Sequence, residues 1–246
     1  MRIDYRDLSV FARDGEGGNP LAIVDHTAIA STRWQEVAAA IGYSETVFLE
    51  PGDPATVHIY TPGRRIPFAG HPLVGTAATL SPDQELIRYD TGVANVRRDA
   101  AGTYVTVVSE GESREASRPA FGVLARIVEM PLEYLVVQCE SAEVVAGLSL
   151  DDVAGHEKIY VWAWEVEGEI VRSRFFAPGV GVPEDPATGS AAVALARFLG
   201  WPQGGVVIHQ GEEVGSPSRI ELAWTGPEVT IGGEVLDRGL GGVDLD

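Results

Sequence analysis

Cysteine and lysine are both nearly absent from this 246-residue sequence. The single cysteine, Cys139, excludes a disulfide framework, a CxxC redox pair and a thiolate metal cluster. It also excludes acid/base chemistry by a pair of facing thiols. The single lysine, Lys158, stands against 17 arginines, and we interpret that imbalance as a bias of the coding sequence rather than as chemistry.

Positive charge is scarce as well, because 18 Lys and Arg residues face 36 Asp and Glu residues, for a net charge of −18. Such an acidic surface repels phosphate backbones and anionic lipids, which excludes nucleic acid and a membrane as partners. No apolar run approaches the ~20 residues that span a bilayer, and residues 1–15 lack an apolar signal core. We therefore expect a cytoplasmic protein. The glycine-rich segments match neither the P-loop nor the dinucleotide-binding pattern, so nothing predicts a nucleotide site.

The hydrophobic pattern predicts a mixed α/β chain. Helices are predicted where apolar residues recur at helical spacing, and strands where they alternate or cluster in short runs. The predicted helices cover 31–41, 71–80, 149–154 and 186–199, and the predicted strands cover 3–10, 20–24, 45–49, 57–60, 135–138 and 159–164, with further short strands within 85–108 and 204–246. A polar stretch at 109–119 is the predicted linker between the halves 1–112 and 113–246. The last strand is expected to return to the first half.

Two segments, 61–78 and 177–192, share one order of residue types. Each runs as a Gly/Pro loop, a residue followed by proline, two further residues, glycine, a hydroxyl residue and Ala-Ala. This alignment places His71 over Asp185 and Gly75 over Gly189. Segments rich in Gly, Pro and Ala can resemble one another by composition alone. Because the order is kept as well as the content, the pattern favours two similar halves, each with a helix that begins at a loop.

The starts of these two helices are candidate binding elements. Proline at the first helical position makes His71 and Asp185 the predicted N-caps. Aspartate is a strong N-cap, which by itself explains Asp185, but histidine is not, so His71 requires another reason. Gly75 and Gly189 destabilise a helix, and a close approach of the two helices would offset that loss. Two helix N-termini at one cleft would suit a carboxylate.

A candidate base precedes the strand 45–49. Glu45 follows the predicted helix stop at Gly42 and begins an apolar strand, so it could be partly buried there. Burial would raise its pKa towards neutrality and allow it to take and return a proton. The alternative is a solvated glutamate in a turn. Glu45, His71 and Asp185 would also be a chemically possible metal-ligand set. The segment around Asn19 is interpreted as a turn.

Four segments and a weaker fifth carry a resemblance to known proteins. They are Gly18-Asn-Pro-Leu-Ala-Ile-Val24, Ser44-Glu-Thr-Val-Phe48, Pro67-Phe-Ala-Gly-His-Pro-Leu-Val-Gly-Thr-Ala77 and Pro183-Glu-Asp-Pro-Ala-Thr-Gly-Ser-Ala-Ala192, with the weaker match at Gln210-Gly211 and Pro217-Ser218. On these segments the sequence resembles the PhzF family, phenazine-biosynthesis isomerase-like proteins with the diaminopimelate-epimerase fold. The resemblance runs in family order across nearly the whole chain.

The resemblance implies two similar α/β halves, each a curled mixed sheet around a central helix, with the active-site cleft between them. It implies a cofactor-independent isomerase, without a metal or an organic cofactor, that acts on a small anionic metabolite, and it makes a homodimer the expected assembly. Glu45 would be the proton-shuttling acid/base. The residues that would bind substrate are His71, Asp185, Ser190, Gly70 and Gly189.

Two departures from the family pattern bear on the substrate. Arg65 stands where an acidic residue is common, and Ser216 replaces the arginine of a Gly-Arg-Pro segment. Both are expected near the rim of the cleft. Two other functions stay open: an amino-acid racemase or epimerase on the same fold, with Glu45 and Asp185 as an oxygen-based pair, and a non-catalytic ligand-binding protein.

Overall fold

Four α-helices and seventeen strands make up the residues that the computed structural model describes, which are 1–180, 182–200 and 202–245. The helices are α1 (Trp34–Ile41), α2 (Gly70–Thr79), α3 (Ala142–Gly147) and α4 (Gly189–Leu199). The strands up to the predicted linker are β1 (Arg2–Ala12), β2 (Asn19–Asp25), β3 (Glu45–Glu50), β4 (Ala55–Tyr60), β5 (Arg65–Ile66), β6 (Leu86–Tyr89), β7 (Gly92–Asp99) and β8 (Gly102–Val108). Those that follow are β9 (Ser113–Glu115), β10 (Gly122–Val128), β11 (Tyr134–Cys139), β12 (Ile159–Val166), β13 (Ile170–Ala177), β14 (Val182–Asp185), β15 (Gln203–Gln210), β16 (Ser218–Thr225) and β17 (Glu228–Asp244).

The two halves pair their strands in the same order. In the first half β1 is antiparallel to β2, β2 parallel to β3, β3 antiparallel to β4, and β4 parallel to β6, with β7 and β8 following antiparallel. The second half repeats these pairings from β10 to β17. The short strands β5 and β14 lie on equivalent neighbours, β4 and β13. The predicted α/β architecture of two similar halves is confirmed.

Strand β17 joins the halves. It pairs antiparallel with β1 from Arg2 opposite Asp244 onwards, and with β8 on its other edge. The ring β1–β2–β3–β4–β6–β7–β8–β17 is thereby closed around α2. A strand of the second half thus completes the sheet of the first. The division of the chain into 1–112 and 113–246 stays a prediction. The last residue of the chain, Asp246, lies outside the described residues.

The helices α2 and α4 are the central helices of the two halves. Eight of the ten residues of α2 are buried, and nine of the eleven residues of α4. Both helices are apolar or small on all sides, which is the composition of a helix enclosed by other elements. Their N-termini meet at Gly70 and Gly189. The predicted close approach at Gly75 is wrong, since Gly75 packs against Leu21 and Val10 of the surrounding sheet.

The predicted N-caps are wrong for both central helices. Helix α2 begins at Gly70 after Ala69, so His71 lies inside its first turn. Helix α4 begins at Gly189 after Thr188, and Asp185 instead ends β14. The physical reason is that Asp185 pairs with β13 and its carboxylate accepts a hydrogen bond from Thr188, so the chain turns once more before the helix starts.

The predicted helix over 149–154 is also wrong. These residues form turns, and the helix of this region is α3, which Ser141 caps. Ser149 donates through its backbone nitrogen and its hydroxyl to Asp152, at 2.8 and 2.6 Å. A serine bonded in this way to its own turn satisfies the local donors without a continuing helix.

Candidate active site

Glu45 lies at the edge of a cavity between the halves. Helix α1 ends at Gly42, whose φ of 75° is left-handed, and the chain then enters β3 at Glu45. The pairing of β3 with β2 holds Glu45 beside Leu21. Its side chain is 15% exposed. The interpretation of Glu45 as a solvated turn residue is therefore wrong, because a glutamate this enclosed carries a large desolvation penalty when charged.

Glu45 and His71 face each other without forming a hydrogen bond. Glu45 Oε2 lies 3.5 Å from His71 Nε2, and the histidine side chain is only 3% exposed. Within the described part of the chain, neither atom has a hydrogen-bond partner. Buried polar atoms are nearly always satisfied. A ligand atom placed beside Glu45 Oε2 and His71 Nε2 would supply the missing hydrogen-bond partner.

Burial keeps both groups neutral. It raises the pKa of Glu45 to about 8, with a further contribution from the charge of Asp185. It lowers the pKa of His71 to about 3. The pair is therefore not an ion pair near neutral pH. The amide nitrogen of Asn19 lies 3.4 Å from His71 Nδ1, on the side of the ring away from Glu45.

Asp185 is held by a hydrogen-bonded network that joins the halves. The Asn19 amide donates to Asp185 Oδ1 and to the carbonyl of Ala187, both at 2.9 Å, and accepts from the Ser44 hydroxyl at 3.0 Å. Thr188 donates to Asp185 Oδ2 at 2.6 Å. Burial raises the pKa of Asp185, and these donors partly oppose the shift because they favour the carboxylate.

The starts of α2 and α4 lie beside this network. The N-cap residues, Ala69 and Thr188, make no side-chain bond to the first turns of these helices. The helix dipoles favour an anion near these starts. Ser190, in the first turn of α4, accepts a hydrogen bond from the Tyr134 hydroxyl at 2.7 Å.

The cavity has a volume of about 60 Å³. Of the predicted site residues, Glu45, Asp185 and Ser190 line its wall. The other three lie behind the wall: His71 against Glu45, and Gly70 and Gly189 against each other. Ligand sites are usually ~300 Å³ or larger, so this cavity is small for a metabolite.

Several residues of the site escape prediction from the sequence. Asn19 has the pattern of a turn residue, yet it begins β2 and is fully buried in the network. Gln210 donates to the Asp185 carbonyl at 2.7 Å. Both stand in segments that carry the family resemblance, which is the signal that could have found them. Tyr134 and Lys158 line the wall and have no such signal.

The two departures from the family pattern do not line the cavity. Arg65 lies on β5 and pairs with Asp90 at 2.6 Å, while its neighbour Arg64 lines the wall. The Ser216 hydroxyl donates to the Gly18 carbonyl at 2.6 Å. Neither residue is therefore placed to contact a ligand in this cavity.

Metal ligation and membrane spanning find no geometric support in the described part of the chain. Within 1–180, 182–200 and 202–245, no three His, Cys, Asp or Glu side chains are grouped as ligands of a metal ion. No helix among these residues has the length and apolar content needed to cross a bilayer.

The chain folds as two diaminopimelate-epimerase-like halves with a cavity between them. The PhzC-PhzF sequence family, described as "Phenazine biosynthesis-like protein", matches residues 8–118 and 107–235. The chain belongs to this family.

Known proteins resemble the chain over nearly its whole length. It is 32% identical to the trans-2,3-dihydro-3-hydroxyanthranilate isomerase of Pseudomonas aeruginosa, over 88% of each chain. The solved structure of a PhzF-family protein of Bacillus anthracis matches all of both chains at a TM-score of 0.82 and 17% identity. A hydroxyproline epimerase of Agrobacterium vitis shares the fold at a TM-score of 0.70 and 11% identity, over 100% of this chain and 93% of that one.

Proposed function

We propose that the protein is a cofactor-independent isomerase that moves a proton between carbons of a small carboxylic acid, with Glu45 as the acid/base. One observation carries the proposal: Glu45 Oε2 and His71 Nε2 are buried, unpartnered and 3.5 Å apart at the cavity. The relationship to the Pseudomonas aeruginosa isomerase supports the same class of reaction.

The chemistry asked of Glu45 is a reversible proton transfer. Its ionised form removes a proton from one carbon, and the electron pair of the broken C–H bond shifts along the conjugated system. The neutral acid then returns the proton to a second carbon on the same face, which restores the carboxylate. A pKa raised towards neutrality leaves both forms accessible.

The remaining site residues would hold the substrate for this transfer. The starts of α2 and α4 at Gly70 and Gly189, with the Ser190 hydroxyl, suit the substrate carboxylate. His71 Nε2 and the Asp185 carboxyl suit its other polar groups. The network through Asn19 fixes Asp185 relative to the first half.

Deuterium exchange tests the proposal. The purified protein is incubated in D2O with trans-2,3-dihydro-3-hydroxyanthranilate, the substrate named for the bacterial relative, and with a panel of cyclic carboxylic acids. We expect deuterium at a ring carbon with the wild type and about 10²-fold slower exchange with E45Q. E50Q, an exposed glutamate at the other end of β3, is the matched control and should exchange normally. Full exchange by E45Q would overturn the assignment.

A racemase or epimerase is the second candidate. The observation that favours it is a second buried carboxyl, Asp185, whose charge acts on Glu45 and which could serve the opposite face of a stereocentre. Cys139 lies in a separate apolar cluster and does not line the cavity wall as described. An epimerase would incorporate deuterium at a stereocentre with loss of optical rotation, whereas the isomerase would move a double bond.

A further inference from the structure

Two cations line the cavity beside Glu45 and Asp185. Arg64 and Lys158 are the basic residues of the described wall, and Lys158 is the single lysine of a chain with a net charge of −18. Several cations of the described chain have no carboxylate partner, and Arg64 and Lys158 are the two of them that line this cavity.

Arg64 comes from the first half and has a fixed backbone. It follows β4 in a turn in which Thr61 donates to the Arg64 carbonyl, through its nitrogen at 2.8 Å and its hydroxyl at 3.0 Å. No ion pair or side-chain hydrogen bond joins its guanidinium to another described residue. The adjacent Arg65, in contrast, pairs with Asp90 at 2.6 Å.

Lys158 comes from the second half, immediately before β12. Its ammonium lies 4.7 Å from the ring centroid of Tyr134, the residue whose hydroxyl donates to Ser190. No carboxylate of the described residues lies within 4.0 Å of it. The acidic residues whose charges reach it are Glu157 and Glu133, and Glu133 is shared with Arg114 at 3.3 Å.

The charge of Arg64 reaches Lys158. Burial lowers the pKa of Lys158, the charge of Glu157 opposes that shift, and the positive charge of Arg64 adds to it. Like charges from opposite halves repel when nothing lies between them, and an anion between them converts that repulsion into two attractions. Both side chains donate strongly to carboxylate or phosphate oxygens.

We propose that Arg64 and Lys158 together bind a second anionic group of the substrate, so that this cavity selects small dianions over monoanions. This inference rests on the proposed function only in taking the cavity as the substrate site. One carboxylate would lie at the starts of α2 and α4, and the second anionic group would bridge the halves at Arg64 and Lys158.

The binding of benzoate and of isophthalate (benzene-1,3-dicarboxylate) tests this inference. Isothermal titration at low ionic strength should give a dissociation constant about tenfold lower for isophthalate, equivalent to about 1.4 kcal/mol. In R64Q and in K158M the preference should fall to about twofold or less, with benzoate binding unchanged. The preference should also shrink as salt is raised.

R65Q is the matched control, because Arg65 is the neighbouring arginine, is exposed, and does not line the described wall. It should keep the wild-type preference. Equal affinity of the wild type for the two ligands, no saturable binding of isophthalate, or a preference retained in both R64Q and K158M would overturn the inference. Circular dichroism and melting temperature establish that each variant is folded, and R64Q, an exposed substitution, gives the decisive result if K158M does not fold.

The experiment separates this inference from the proposed function. E45Q should keep the preference for isophthalate, because Glu45 is not one of the two cations. Proton exchange that survives in E45Q would overturn the acid/base role and leave the dianion preference in place. A lost preference with Glu45-dependent exchange intact would overturn only the dianion site.

Discussion

Gly70 and Gly189 meet at the starts of the two central helices, where a β-carbon on Gly70 would lie 2.6 Å from the carbonyl carbon of Gly189. That distance is shorter than any β-carbon tolerates. Since the two helices belong to opposite halves, this contact sets how closely their N-termini approach, and therefore where the two helix starts lie relative to Glu45.

Substitution of Gly70 by alanine should disrupt this contact. Alanine normally stabilises a helix by roughly 1 kcal/mol over glycine, but here its methyl group would overlap backbone. We expect G70A to lower the free energy of unfolding by about 1–3 kcal/mol. Guanidinium chloride unfolding would measure the loss. Carboxylate binding should weaken with it, because the two helix starts move apart.

G147A is the control for this prediction. Gly147 ends α3 and has no left-handed φ, and a β-carbon added there would meet no atom within 4 Å. Its replacement should leave stability unchanged or raise it by about 0.5–1 kcal/mol. If G70A were as stable as G147A, the helix starts would not be in contact as the structure shows.

The raised pKa of Glu45 predicts how stability depends on pH. An unfolded chain loses this proton near the ordinary pKa of 4.5, whereas the native state keeps it up to about pH 8. Between these pH values the native state therefore binds more protons than the unfolded chain does. The stability that the Glu45 proton contributes is complete below pH 4.5 and is lost as pH rises to 8. Glutamine at position 45 does not titrate. The stability of E45Q relative to wild type should therefore increase from pH 5 to pH 8, by on the order of 2 kcal/mol.

Chemical unfolding at the two pH values measures this difference. E50Q provides the comparison, since Glu50 lies exposed at the end of the same strand. Its stability should follow that of the wild type at both values. Curves for E45Q and wild type that stay parallel from pH 5 to pH 8 would mean that Glu45 is solvated and ordinary.

Asn19 is expected to hold Asp185 in place. N19A removes two donors, one to Asp185 Oδ1 and one to the Ala187 carbonyl, and leaves both acceptors buried. The expected loss of stability is about 1–3 kcal/mol. The pKa of Asp185 should rise further, because a donor that favours its carboxylate is gone. Carboxyl chemical shifts followed by NMR would measure that rise.

Asn95 provides the contrast for Asn19. It is exposed on β7, and N95A should change stability by less than about 0.5 kcal/mol. Equal effects of N19A and N95A would show that the network around Asp185 contributes nothing to the fold.

Local patterns predicted much of the chain. The helix stop at Gly42 and the strand at Glu45 follow from residues that are neighbours in sequence, and the structure has both. The predicted helix starts were wrong because Asp185 accepts a hydrogen bond from Thr188 and does not cap a helix. Its pairing with β13 holds Asp185 in this position. The predicted alignment of the two halves is also shifted, because it placed His71 over Asp185. In the structure His71 and Ser190 are each the second residue of their helix.

The sequence alone determined the class of the protein: two similar α/β halves, one candidate acid/base at Glu45, and a cleft suited to an acidic ligand. These depend on periodicity, on an internal repeat and on motifs, all of which are properties of residue order. The tertiary structure decided that Asn19 joins Ser44 to Asp185 and that Lys158, which looked like compositional chance, lines the same cavity as Arg64. Residues this distant along the chain are brought together only by the tertiary fold, and their charges and burial have no local signature.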